Sequence, residues 1–389
     1  MIIHSLLDTD LYKLTMQQLV LHRFPANVVK YRFKCRTKNL NLIPYINRIS
    51  EEIDHLCTLR FTEEELVYLN TFDFFKKDYI DFLRMFQLNR KHIKIGIKNR
   101  KLDIVIEGPW WETILFEVPI LSIVNEVYYN ENDLCNESEF KNGEFKLKKK
   151  IKFVKKLPDS LKFTFADFGT RRRRSKNWHE YVVKTLAEEL PGKFVGTSNV
   201  WLAMKHNVKP IGTMAHEFLQ GMQAMVRLSD SQKYAFENWV QEYRGDLGIA
   251  LTDVVGMDAF LRDFDKYFCK LFDGCRHDSG DPYKWCEKLI VHYKNMGIDP
   301  MTKTAVFSDG LTIPKAINLV QKFHNRIKMS FGIGTNLTND CETDAISIVI
   351  KMIKCNGMDV AKVSDSSGKT MCENEEFLTY LKQVFQIEG

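Results

Sequence analysis

The residues best suited to chemistry stand at the ends of short apolar runs. Val208 to Ile211 stops at Gly212 and is followed by Thr213, then by His216 and Glu217 at the start of a segment that can be helical. After residues 163–166 come Asp167, Phe168 and the basic run Arg171 to Arg174. Further runs end in Gly196-Thr-Ser198-Asn199, Arg276-His-Asp278-Ser-Gly280-Asp281, Ser308-Asp309-Gly310 and Gly332-Ile-Gly334-Thr335. A guanidinium meets phosphate or carboxylate with two parallel N–H groups. Glycines let backbone N–H groups approach an anion closely. Arginines, carboxylates, glycines and hydroxyls gathered in this way suit a phosphate-rich substrate. Each also has a plainer reading. A lone histidine after a strand is commonly just hydrogen-bonded, four arginines can form a solvated face, Phe168 can be core, and Asp278 to Asp281 can make a tight turn. Arg171, nearest its strand end, is the favoured anion clamp, and Phe168 beside it could stack on a flat aromatic ring.

The elements that must position these residues fall into two parts. Residues 1–160 read as a mixed α+β domain. Leu11 to Phe24 has helical spacing after Asp8-Thr-Asp10, Val29 to Arg36 alternates as a half-buried strand, and residues 48–88 look helical. His92 to Ile97 and Leu102 to Ile106 flank Lys98-Asn-Arg-Lys101 as a hairpin. Trp110 to Tyr129 is strongly apolar, with a break expected at Pro119. The Lys-rich stretch 136–158 reads as the solvated end of a connecting helix. From 161 to 373 the rhythm changes to short β-rich runs, at 163–166, 193–196, 208–212, 248–252, 271–275, 304–307, 328–332 and 360–363, with helix-compatible segments between them. That pattern predicts an irregular (β/α) barrel, in which the loops after the strands converge on one face. Residues 374–387 are expected to form a helix packing back on the N-terminal domain.

The totals narrow the function classes. A chain of 389 residues can bury a large core and hold two domains. No apolar stretch approaches the roughly 20 residues of a membrane span, and the first residues do not read as a secretory signal. Nine cysteines without a Cys-x-x-Cys pair suit reduced thiols and a cytoplasmic setting. The net charge of +6 fits anionic small molecules as well as nucleic acid, but no aromatic platform accompanies the basic runs, so no nucleic-acid partner is expected. Gly332-Ile-Gly334 starts like a dinucleotide fingerprint, yet Leu337 stands where the third glycine belongs. No Walker A sequence is present, so ATP, if used, is not bound through a P-loop.

Asp8-Thr-Asp-Leu-Tyr12-Lys-Leu-Thr15, Asp167-Phe-Gly-Thr-Arg-Arg-Arg173, Gly196-Thr-Ser-Asn199, Gly212-Thr-Met-Ala-His-Glu217, Arg276-His-Asp-Ser-Gly-Asp-Pro282, Ser308-Asp-Gly310 and Phe331-Gly-Ile-Gly-Thr335 occur in order along nearly the whole chain. Together they resemble the nicotinate phosphoribosyltransferase family. The resemblance implies a type II phosphoribosyltransferase fold. It also implies formation of nicotinate mononucleotide and pyrophosphate from nicotinate and phosphoribosyl pyrophosphate, with Mg²⁺ and with ATP as co-substrate, in NAD salvage. By this resemblance Phe168 is one face of a stack around the pyridine ring, and Tyr12 is the other face, supplied by the neighbouring subunit of a homodimer. Thr213 and Arg276 bind nicotinate, Arg276 through its carboxylate, and Asp278 holds ribose hydroxyls. Asp309 contacts substrate, while Gly310, Gly332, Gly334 and Thr335 line the 5′-phosphate site. His216 is similar to the family's phosphohistidine, with Glu217 as a candidate to orient its ring. Ser198 replaces an aspartate of the related nicotinamide enzyme and is expected to donate to the carboxylate of nicotinate. The nicotinamide enzyme and a non-catalytic nucleotide or phosphoribosyl pyrophosphate sensor are the alternatives.

Overall fold

Alternation builds the first sheet. In β1 (Val28–Cys35) Val29, Tyr31 and Phe33 point into the core and Lys30 and Lys34 away from it, as a strand with one wet face requires. The hairpin of β2 (Ile93–Lys98) and β3 (Lys101–Pro109) turns through Asn99 and Arg100, both at positive φ, 50° and 57°, the two-residue turn whose twist matches the strands. This computed structural model describes residues 1–366, 370 and 372–387. Helices at Leu11–Arg23, Ile46–Leu56, Glu63–Leu69 and Lys77–Met85 occupy most of the regions expected to be helical. The expected break at Pro119 lies earlier: a short turn ends at Phe116, and the helix Glu117–Glu131 begins with Pro119 in its first turn, where a missing N–H costs nothing. Glu137–Lys155 then forms the connecting helix.

The second sheet is parallel. It contains β4 (Phe165–Asp167), β5 (Phe194–Thr197), β7 (Ile249–Leu251), β8 (Gly274–His277), β9 (Thr304–Phe307) and β10 (Lys328–Ile333), in the order β5-β4-β10-β9-β8-β7. A short strand, β6 (Arg244–Leu247), stands outside both sheet orders. Residues 208–212, expected as a strand, instead join with Thr213 to bridge the sheet's two outer members. Thr197 pairs with Pro210, Ile211 N–H donates to the Thr197 carbonyl (2.8 Å), and the Thr213 hydroxyl donates to the Ile249 carbonyl (3.1 Å). Pro210 has no N–H for a ladder, so the closure is a bridge and not a strand. The result is an irregular α/β barrel.

The division into 1–160 and 161–373 does not describe the sheets. β11 (Ile348–Cys355) and β12 (Met358–Asp359) join the first sheet, whose order is β12-β11-β1-β3-β2. β11 runs antiparallel to β1 with Phe33 opposite Ile350 and Tyr31 opposite Met352. Residues 360–363 form no barrel strand; they cross from this sheet back to the barrel, where Val363 N–H donates to the Val254 carbonyl (2.8 Å). The final helix, Glu375–Val384, packs against Leu228–Asp230 on the barrel side, with Arg262 donating to the Phe385 carbonyl, while its cap Asn374 donates to Asp359 of β12 (2.9 Å).

Candidate functional site

A cavity of about 390 Å³ opens where the parallel strands end, and β11 of the other sheet forms part of its wall. Tyr12, Phe168, Arg171, Ser198, His216, Arg276, Asp278, Gly310, Gly334 and Thr335 all line it. Tyr12 lines it from its own chain, two residues after the bridge between Asp10 and Asn199. Three residues named from the sequence are placed elsewhere. Thr213 spends its hydroxyl on barrel closure. A Cβ at Gly332 would sit 2.2 Å from the Phe168 ring, so this glycine makes room for the aromatic side chain, and it is not among the residues lining the cavity. Asp309 faces the adjoining cleft with Tyr283 and Lys315.

His216 opens the helix His216–Met222 and is 5% exposed. Its Nε2 lies 2.8 Å from Asp253 Oδ1 and 3.5 Å from Asp278 Oδ2. The other oxygen of Asp253 accepts from Ser279 Oγ (2.6 Å) and pairs with Lys362 Nζ (2.7 Å). Burial, with the charge of Lys362 added, outweighs the two carboxylates and pushes the imidazole down to about 4. The ring is therefore neutral at pH 7, with Nε2–H donated to Asp253 and a lone pair left on Nδ1. Glu217 does not orient it. That carboxylate pairs with the buried Lys13 and accepts from Trp110 Nε1 and Tyr31 Oη, each at 3.2 Å. Asp253 and Lys362 were missed from the sequence. The strand-end rule applied to β7 points straight at Thr252-Asp253, whereas Lys362 carries no comparable local signal.

The cavity holds three cations without protein partners. Among the described residues the side chains of Arg172, Arg276 and Lys351 make no hydrogen bond or ion pair, although all three line the cavity. Burial, then repulsion from Arg171 and Arg36, pushes Arg172 down to about 10. Burial also pushes Lys351 down to about 8, against the pull of Glu117. Half-buried cations that face a cavity without a protein counter-charge mark a place where anionic groups belong. Arg171 is held loosely, 3.7 Å from Asp10 and 3.5 Å from Glu117. Ser198 Oγ donates to Asp10 Oδ1 at 2.7 Å.

His216, Asp253 and Asp278 have donor atoms within 4.8 Å of one another, close enough to suggest a metal. They do not fit a resident Mg²⁺. That ion wants hard oxygen ligands, one of the three donors is an imidazole, and Asp253 is already neutralised by Lys362.

The sequence matches the family model described as the nicotinate phosphoribosyltransferase (NAPRTase) family over residues 163–389, and that of its N-terminal domain over residues 7–125. A nicotinate phosphoribosyltransferase of Burkholderia ambifaria (strain MC40-6) is 57% identical, covering 100% of this chain and 98% of that protein. One of Acidovorax sp. (strain JS42) is 54% identical over 100% of this chain and 99% of its own. This chain belongs to the nicotinate phosphoribosyltransferase family. Solved nicotinate phosphoribosyltransferases agree in fold. That of Vibrio cholerae superimposes with a TM-score of 0.95 at 39% identity, covering 100% of this chain and 94% of that one. That of Porphyromonas gingivalis gives 0.94 at 34% identity, with 99% and 100% covered. The family motifs read from the sequence thus converge on one cavity, to which the fold adds Asp10, Glu117, Arg172 and Lys351.

Proposed function

We propose that the protein forms nicotinate mononucleotide and pyrophosphate from nicotinate and 5-phosphoribosyl 1-pyrophosphate, with ATP hydrolysis coupled through a phosphohistidine at His216. The observation that supports this best is the cavity lined by three unpaired cations beside a neutral imidazole. The pyridine ring enters between Tyr12 and Phe168. Arg171, Arg172, Arg276 and Lys351 hold the anionic groups, and Asp278, fixed by Ser308 Oγ at 2.8 Å, accepts from ribose hydroxyls. The pyridine nitrogen forms a bond to the anomeric carbon as the bond to pyrophosphate breaks, the leaving oxygen keeping the electron pair. Any Mg²⁺ would be held by the substrate and not by these residues, and it would supply charge neutralisation. The protein contributes position and fixed charge, which can amount to about 7–11 kcal/mol for orientation alone.

In the coupled step the Nδ1 lone pair of His216 attacks the γ-phosphorus of ATP, ADP departs with the bridging oxygen, and water later cleaves the phosphoramidate. The phosphoryl group places about 1.5–2 negative charges beside Arg276 and Lys351 and so alters their hold on substrate. A homodimer is proposed on the resemblance. The cytoplasmic setting rests on nine unpaired thiols. Among the described residues no helix is long and apolar enough to cross a membrane.

The deciding experiment is a product assay with nicotinate and nicotinamide side by side, each with and without ATP. Nicotinate mononucleotide in larger yield with ATP is expected. Equal use of nicotinamide would move the assignment to the amide enzyme, and no pyrophosphate release with either base would favour a sensor. Labelled phosphate from ATP should be retained by the wild type and lost in His216→Ala.

A further inference from the structure

The strap formed by residues 360–366 carries Lys362 onto the rear of the His216 site. It leaves the antiparallel sheet after Asp359 and is hydrogen-bonded to three parts of the barrel. Gln223, just beyond the His216 helix, exchanges two hydrogen bonds of 2.8 Å with the backbone of Ala361. Val363 N–H donates to the Val254 carbonyl at 2.8 Å, in the loop after β7. In the loop after β8, Ser279 Oγ accepts from Asp365 N–H (3.1 Å) and Gly280 N–H donates to Ser366 Oγ (2.9 Å). Lys362 is thus placed by backbone contacts on both sides, and its side chain is 6% exposed.

We propose that Lys362 is a positioning residue for His216, acting through Asp253: it holds the carboxylate so that Nε2 keeps its proton and Nδ1 offers a lone pair to the cavity. The proposal rests on the reading of His216 as phosphoryl acceptor. Its physical basis is the charge balance around the ring. Asp253 faces the imidazole from the loop after β7, and Asp278 faces it from the loop after β8. Lys362 balances them from the strap, Arg276 and Lys351 line the cavity side, and Glu217 on the same helix is turned to Lys13. Without Lys362 the ring would meet Asp253 with its lysine counter-charge gone. The imidazolium would then form at higher pH than in the wild type, and that form has no lone pair for phosphorus. Ser279 alone would hold the second oxygen of Asp253, and a neutral hydroxyl supplies no compensating charge.

The test is an NMR titration of the His216 imidazole in the full-length wild type, Lys362→Met, Lys362→Gln and Lys362→Arg, with His216→Ala used to assign the resonance. The apparent pKa should rise by about one unit or more in the Met and Gln variants and stay near wild type in Arg, which keeps the charge. The acid limb of phosphate incorporation from labelled ATP should move up in pH by the same amount. An unmoved imidazole pKa in either neutral variant, with its circular dichroism unchanged, would overturn the role of Lys362. So would an Arg variant displaced as far as Met. The titration needs no ATP, so a wild type that incorporates no label counts against the phosphohistidine reading and leaves the test of Lys362 intact.

Discussion

Ser198 has one proton to give and gives it to Asp10. Toward a substrate carboxylate it can then only present oxygen lone pairs, so on the proposed reading the selection of acid over amide is left to the cations lining the cavity. Arg171 is one of them, loosely shared between Asp10 and Glu117. Ser198→Asp would set a second carboxylate against Asp10 and consume what charge Arg171 has to spare. At a like-charge cost of about 1.4 kcal/mol the KM for nicotinate rises about tenfold. Steady-state kinetics check this, and an unchanged KM would place the carboxylate of nicotinate elsewhere. Lys351 gives a pH prediction. Held at about 8, it is charged below that value and neutral above it, whereas substrate phosphates stay ionised throughout. The KM for phosphoribosyl pyrophosphate should therefore climb from pH 7 to 9 in the wild type. In Lys351→Met it should start high and remain flat.

Among the elements, the segment before the first helix is held to the barrel by a buried ion pair. Arg173 pairs with Asp8 through two hydrogen bonds of 2.6 and 2.9 Å, and Asn199 donates to the same carboxylate at 2.7 Å. Both partners are fully buried, which makes removal of one far costlier than the worth of the pair. Asp8→Ala is expected to lower stability by about 3–5 kcal/mol in urea titration. Burial alone would raise the Asp8 carboxyl, but Arg173 and Asn199 hold it below its ordinary value. Its contribution is present above the unfolded pKa of about 3.9 and is lost as pH falls through the lower folded value. Asp8 and Arg173 both stood in motifs legible in the sequence, yet the pairing did not, because 165 residues separate them. The same holds for β11. Residues 348–355 were not read as a strand, and nothing local said that Ile350 would face Phe33. Strand positions such as 304–307 and the polar residues after them were legible because periodicity and turn chemistry are local. Pro210 was visible too, and its missing N–H was the unused signal that 208–212 would bridge and not form a strand.

At the scale of the molecule the chain passes repeatedly between its two sheets. It builds β1–β3, enters the barrel, returns through β11 and β12, and crosses back along the strap to a helix on the barrel side. The cavity lies between these parts, with Ile350, Lys351 and Met352 on one wall and the ends of the parallel strands on the other. Below it Lys13, on the first helix, is buried between Glu117, at 2.6 Å, and Glu217, so the helix carrying His216 is tied to the N-terminal part by charge as well as by packing. An opening of either part alone would strand Lys13 or Glu217 without a partner and strip β1 of its ladder, costs that neither sheet recovers separately. Unfolding should therefore be shared. With fluorotryptophan incorporated, the ¹⁹F signals of Trp111, on the N-terminal part, and Trp285, held in the barrel through Thr252 Oγ1 at 2.9 Å, should disappear at one urea midpoint. A lower midpoint for Trp111 would mean that the first sheet opens independently. The wall carrying Lys351 could then come and go without the barrel, and the pH dependence argued for that lysine would have to be read as an opening of the sheet and not as a titration.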